Sequence, residues 1–177
     1  ARQAKEFIGK AIVGGVRAGR GAGCVEPMAA LYESRERYDL FERVSRAAEV
    51  LKENRIGDLI PEVQSNIGVG LKNALRHEDV IAFPGRIVKM GRDIAILSAP
   101  KFGASRHAAN IVLTAMRFDP SKRAAMNIKY TDALLSACKR LKFSIATFDR
   151  ADEPKNVKTR EGSSLEWGTA KAIRDFG

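Results

Sequence analysis

Residues 100–130, PKFGASRHAANIVLTAMRFDPSKRAAMNIKY, decide how the rest of the chain is read. A Gly103-Ala104-Ser105 turn leads into a run with apolar residues at Ala108, Ile111, Val112, Ala115 and Met116. That i, i+3, i+4, i+7, i+8 spacing belongs to a helix with one buried face. Ser105 is the natural N-cap, because its hydroxyl can accept from a backbone N–H one turn in. Arg106 and His107 fall in the first turn, beside N–H groups with no partner inside the helix. Positive side chains are mildly unfavourable at that end of the helix dipole unless an anion shares them. The stretch therefore buries one side and offers its start to a phosphate or carboxylate. Asp119-Pro120 closes it, since proline disfavours helical geometry in the residue before it.

Downstream, AAMNIKY (124–130) reads as a strand, Thr131 caps a helix running to Leu141, and FSIATFD (143–149) reads as another strand ending on Asp149. A carboxylate at the carboxyl end of a strand is a common ligand position in layered α/β proteins, and equally a cap for the turn that follows. Residues 152–154, DEP, start a short helical stretch, and Glu161-Gly162-Ser163-Ser164 opens a last helix over 165–176.

Upstream, DVIAF (79–83) precedes a Pro84-Gly85 turn, and 86–90 pairs with 93–97 through Gly91-Arg92, a Gly-X hairpin signal. Arg86 stands directly after the first of these turns, where an arginine is more often a solvated strand end than a ligand. IPEVQSNIGVGL (60–71) alternates at Val63, Ser65, Ile67 and Val69, a strand whose glycines imply close approach of a backbone or a ligand. Asn66 and Gly68 there fit a site lining or tight strand packing equally well. Residues 35–54 carry Tyr38, Phe41, Val44, Ala48 and Leu51 on one stripe, a helix with a solvated charged face and no chemistry, stopped by Asn54 and Gly57. Residues 3–19 form an amphipathic helix stopped by Gly19-Arg20-Gly21-Ala22-Gly23. That run lacks the order of a phosphate loop and a preceding strand, so it is a terminator and linker.

A chain of 177 residues fits one domain, or one with an appendage. No apolar run is long enough to span a membrane, and no leader pattern opens the sequence. A first residue of Ala instead of Met fits a fragment or a processed form. Cys24 and Cys138 stand far apart without CxxC spacing, which excludes a disulfide scaffold and a cysteine-rich zinc site and makes a reducing cytoplasm the expected setting. The net charge of +10 favours anionic partners. Basic residues are spread along the chain and aromatics are sparse, so phosphorylated small molecules are favoured over nucleic acid, and no membrane partner is expected.

Two resemblances follow. AKEFIGKAIVGGVRAGRGAGCVEPMAALY (4–32) resembles the end of a hydroxymethylpyrimidine (phosphate) kinase of the ribokinase fold, without that enzyme's catalytic base or ATP site. IPEVQSNIGVGL, DVIAFPGRIV, FGASRHAANIVLTAMRFDP, AAMNIKY, FDR and EGSSLEWG together resemble the archaeal ThiN-type thiamine-phosphate synthase domain, from about Ile60 to the end. In some archaeal proteins that domain follows the kinase. The expected organisation is a kinase-like tail and linker over 1–34 and a synthase-like domain over 35–177.

The resemblance implies condensation of hydroxymethylpyrimidine diphosphate with a hydroxyethylthiazole phosphate, giving thiamine phosphate and pyrophosphate with Mg²⁺. It implies catalytic roles for Arg86 and His107. It implies a substrate lining of Asn66, Gly68, Gly103, Ser105, Arg106, Arg117, Asn127, Lys129, Asp149, Gly162, Ser163 and Ser164, with metal ligands unassigned. On spacing alone His107 serves equally as a half-buried packing residue. The implied fold is a three-layer α/β/α arrangement with a mixed, mostly antiparallel central sheet, similar to class II aldolases (AraD-like), and the implied assembly is a homodimer. Those aldolases hold zinc with several histidines. This chain has two, and His77 reads as an exposed loop residue. Family domains continue past the position of Gly177 into a Gly-Asp-containing phosphate-contact segment, so the resemblance implies a site that is incomplete without that segment or finished by another subunit. Similar domains also follow helix-turn-helix modules in repressors, so a non-catalytic sensor of thiamine phosphate is the alternative. A nucleic-acid-binding reading rests on charge alone.

Overall fold

A computed structural model describes residues 1–16, 20–21, 23–158 and 163–176. The chain divides into two units, Ala1–Leu40 and Phe41–Gly177. In the first, helix α1 (Arg2–Val13) ends at Gly14, earlier than the expected stop at Gly19. The cause is the returning chain: Cys24 bridges back to Val16, and a Cβ on Gly15 would collide with the Cys24 carbonyl. Helix α2 (Ala29–Glu53) starts six residues before the expected Arg35, where the Glu26 carboxylate accepts the Met28 N–H at 2.9 Å. At its end Arg55, not Gly57, takes the left-handed conformation (φ 52°).

The second unit is built on α3 (Arg106–Phe118), which falls where its periodicity placed it. Ser105 accepts the Ala108 N–H at 3.2 Å, and Ala108, Ala109, Val112, Leu113, Ala115 and Met116 are buried. Beneath it lies a four-stranded sheet in the order β5-β2-β1-β6. Its strands are β1 (Ile67–Gly70), β2 (Val80–Ala82), β5 (Lys101–Phe102) and β6 (Ala124–Met126). The expected hairpin forms as a separate ribbon, β3 (Ile87–Met90) with β4 (Asp93–Ile96), and Gly91 supplies the positive φ (63°) its turn requires. Every pairing among the described strands is antiparallel, and they form two sheets, where one mixed central sheet was expected.

Helix α4 (Asp132–Arg140) is capped by Thr131 as read, through a bond from the Leu134 N–H at 3.1 Å. Residues 143–149 are a correction, because they pair with no strand. Their apolar residues serve other contacts or none: Phe143 is exposed, and Phe148 meets Trp167 edge-on at 5.7 Å. Trp167 belongs to α6 (Ser163–Phe176), which follows the short α5 (Lys155–Lys158) and packs on α3. Among the described residues, no helix is long and apolar enough to cross a membrane.

Candidate active site

Asn66, Asn127 and the turn that carries Arg86 meet at the end of the sheet where β1 begins. Asn66 precedes β1, and its side-chain amide acts as a strand partner for Phe83. Nδ2 donates to the Phe83 carbonyl (2.9 Å), while Oδ1 accepts the N–H groups of Phe83 (3.0 Å) and Ile67 (2.9 Å). The Asn66 N–H donates to Asn127 Oδ1 (2.9 Å), and Asn127 Nδ2 donates to the Gln64 carbonyl (2.8 Å). The buried Ser65 hydroxyl donates to the Asn127 carbonyl. The two amides thus stitch three chain segments together, where the sequence suggested that they line a ligand.

What they hold in place is strained. Arg86 follows Phe83-Pro84-Gly85 in the left-handed region (φ 60°), and Gln64 does the same (φ 66°). Such a conformation costs a non-glycine residue about 1–2 kcal/mol, and residues of this kind concentrate where function needs a fixed geometry. The two flank one bridge, in which Ser65 and Ile87 exchange N–H···O bonds of 3.0 and 2.8 Å. Arg86 Nη1 donates to the Val63 carbonyl at 2.9 Å, which fixes the guanidinium, and the side chain is otherwise exposed. A planar fork held at one corner presents its other donors in a set direction.

Helix α3 packs on β1 with Ala108 and Val112 over Gly68. A Cβ built on Gly68 would lie 3.1 Å from the Ala108 Cβ, and one on Gly70 would lie 2.9 Å from the Met116 sulfur. The helix therefore runs along β1 in the same direction, closely enough to require glycine beneath it. Ser105, Arg106 and His107 precede Ala108 by up to one turn, about 5 Å. Arg106 and His107 are exposed, so His107 is not a packing histidine.

The remaining expected residues scatter. Gly103 makes the turn into α3 with φ 72°, and exposed Lys129 donates its N–H to the Leu59 carbonyl at 2.7 Å. Arg117 is at the far end of α3, lining a hollow of about 330 Å³ with Arg76, His77, Asn110 and Glu166. His77 is no loop residue: it is half-buried, with Nε2 2.6 Å from Asn110 Oδ1. Asp149 accepts the Ala151 N–H at 2.8 Å and so takes the capping role. Gly162 lies outside the described residues, and Ser163 and Ser164 form the backbone start of α6. Neither of the two hollows described for the chain includes Arg86 or His107 in its lining.

Residues 43–176 match the model of the family described as "Thiamine-phosphate synthase ThiN". The chain belongs to the ThiN family. A ThiN relative, the thiamine-phosphate synthase ThiN of Methanothermobacter thermautotrophicus, is 38% identical over 136 residues, 76% of this chain and 71% of that protein. The bifunctional thiamine biosynthesis protein ThiDN of Methanocaldococcus jannaschii is 46% identical over 121 residues, 67% of this chain and 27% of that longer protein. Among solved structures, the C-terminal domain of a phosphomethylpyrimidine kinase superposes with a TM-score of 0.74 at 33% identity, over 80% of each chain. The segments that carry the ThiN likeness include those that meet at the start of β1.

Proposed function

We propose that the chain acts as a thiamine-phosphate synthase at the end of the sheet where the Arg86 turn and the start of α3 converge. The observation that supports the reading is Arg86 held in the left-handed region with its guanidinium fixed on the Val63 carbonyl, beside a β1 over which Ala108 of α3 packs. The thiazole nitrogen is already nucleophilic and bonds to the pyrimidine methylene carbon as the carbon–oxygen bond to the diphosphate breaks. Pyrophosphate departs with the bonding pair, and the ring nitrogen becomes a thiazolium. Charge builds on the leaving oxygens, so the protein's task is to place fixed donors there. Arg86, held by Val63, and Arg106 offer guanidinium forks. His107 and the unpartnered N–H groups of the first turn of α3 complete an anion cradle.

Mg²⁺ belongs to this reading as an ion carried by the diphosphate oxygens, a setting in which it keeps water ligands and needs few from protein. Among the described residues, no three of His, Cys, Asp and Glu gather into a ligand set. The finer likeness to the class II aldolase fold, with helices on both faces of the sheet, is part of the proposal; α3 on β1 accounts for one of its two helical layers. So are a homodimer, a cytoplasmic setting and the division into 1–34 and 35–177. The division is supported by a family match that begins at residue 43.

The test is to incubate the chain with both phosphorylated precursors and Mg²⁺ and to measure thiamine phosphate and pyrophosphate. Equal amounts of the two support the enzyme. Tight binding of thiamine phosphate with no turnover would replace it with the sensor reading.

A further inference from the structure

The Arg86 turn has a second side. Beneath Phe83 and Gly85 lies a hollow of about 370 Å³, closed by α2 and by residues 96–100 between β4 and β5. Ser98 ties this floor to the turn, its hydroxyl accepting the Gly85 N–H at 3.4 Å. The volume suits a small organic ligand rather than a bare phosphate.

Its walls mix apolar side chains, Ala48, Phe83, Ile96, Leu97, Ala99 and Pro100, with polar ones. Leu97 is 77% exposed, a large apolar side chain left facing water at the mouth. The charged groups stand on α2, where Glu49 and Lys52 pair at 2.8 Å beside Ser45, and Ser98 adds a hydroxyl at the floor. An open hollow of this kind can take a small ring that is apolar on its faces and carries both a donor and an acceptor on one rim.

We infer that this hollow binds the aminopyrimidine ring of the diphosphate substrate, with its methylene directed to the Arg86 turn. The inference rests on the proposed synthase activity. Of the two substrate rings, the aminopyrimidine is the one with an amino donor beside a ring-nitrogen acceptor, which Glu49 and Lys52 match in sign. The thiazole must keep its nitrogen free to attack, so a donor at that atom would work against the reaction. The residues involved on α2 carry no motif, and the sequence reads that helix as surface and core alone.

Two variants test this. Ala99→Trp fills the hollow from an exposed position, and Glu49→Gln removes the charged acceptor from an exposed helix face. Both should raise KM for the pyrimidine diphosphate, Ala99→Trp by at least about tenfold, while KM for the thiazole phosphate stays within about twofold. Calorimetric titration of the unmodified chain with free hydroxymethylpyrimidine should show binding that Ala99→Trp abolishes, while binding of inorganic pyrophosphate persists in the variant. Unchanged pyrimidine binding in Ala99→Trp, or no binding to the unmodified chain, would overturn the assignment. Absence of thiamine phosphate synthesis by the unmodified chain would count against the proposed activity, and the titration with free pyrimidine would still decide the hollow.

Discussion

At the scale of single residues, Arg86 separates stability from function. Its side chain is placed in the proposed anion cradle, while its backbone sits in a conformation that glycine adopts freely. Arg86→Gly should therefore hold or raise the thermal midpoint, by up to about 1 kcal/mol of relieved strain. The same change should cost turnover about 100-fold or more, the usual effect of removing a donor from a developing negative charge. Melting curves and initial rates on the same preparation check both, with Arg86→Ala as the variant that loses the Val63 bond without glycine's freedom; a midpoint for Arg86→Gly no higher than for Arg86→Ala would show that the turn is not strained. The sequence marked Arg86, His107, Asn66 and Asn127 through their motifs. It did not show that the asparagine amides are taken up by Phe83, Gln64 and each other's segment. Those partners lie as far as 63 residues away in sequence, and no local pattern encodes them.

Elements were legible where the pattern was long and locally capped. Helix α3 has a full stripe of buried residues and a serine cap, and α4 has its threonine, so both fell within a residue or so of their expected bounds. The strand expected over 143–149 failed because a short run rich in apolar and β-branched residues does not record what those side chains pack on, and Phe148 found α6 instead of a sheet. The contact between α3 and β1 carries its own test. Gly68→Val would press on the Ala108 carbonyl and the Val112 side chain, at a cost of about 1–3 kcal/mol. Displacing the start of α3 from the Arg86 turn should also lower kcat, so calorimetry and kinetics should move together; a stable variant with full activity would loosen the link between helix and site.

The far end of α3 gives a pH prediction. Lys122, then the Ser121 hydroxyl and N–H, hydrogen-bond the Asp119 carboxylate and hold its pKa well below the ordinary range. A depressed folded value stabilises the chain above the unfolded pKa, and that contribution disappears as pH falls through the folded one. Asp119→Asn should accordingly lower the thermal midpoint near neutrality and converge with the unmodified chain in strong acid. A constant gap across pH would assign the loss to shape instead of charge.

For the whole molecule, composition pointed to anionic small-molecule partners, and the family match over residues 43–176 agrees with that direction. Sequence did not show how the parts come together, because the proposed site draws on the segments beside β1, β2 and β6 and on the first turn of a helix that packs along β1. The central claim is that Arg86 and His107 serve one bound phosphate group from two different elements. The most direct measurement is a double-mutant cycle on kcat/KM with Arg86→Ala, His107→Ala and the pair together. Residues acting on one group should show strong non-additivity, with the double variant within several-fold of the slower single variant. A double variant slowed by the full product of the two single effects would contradict the shared site.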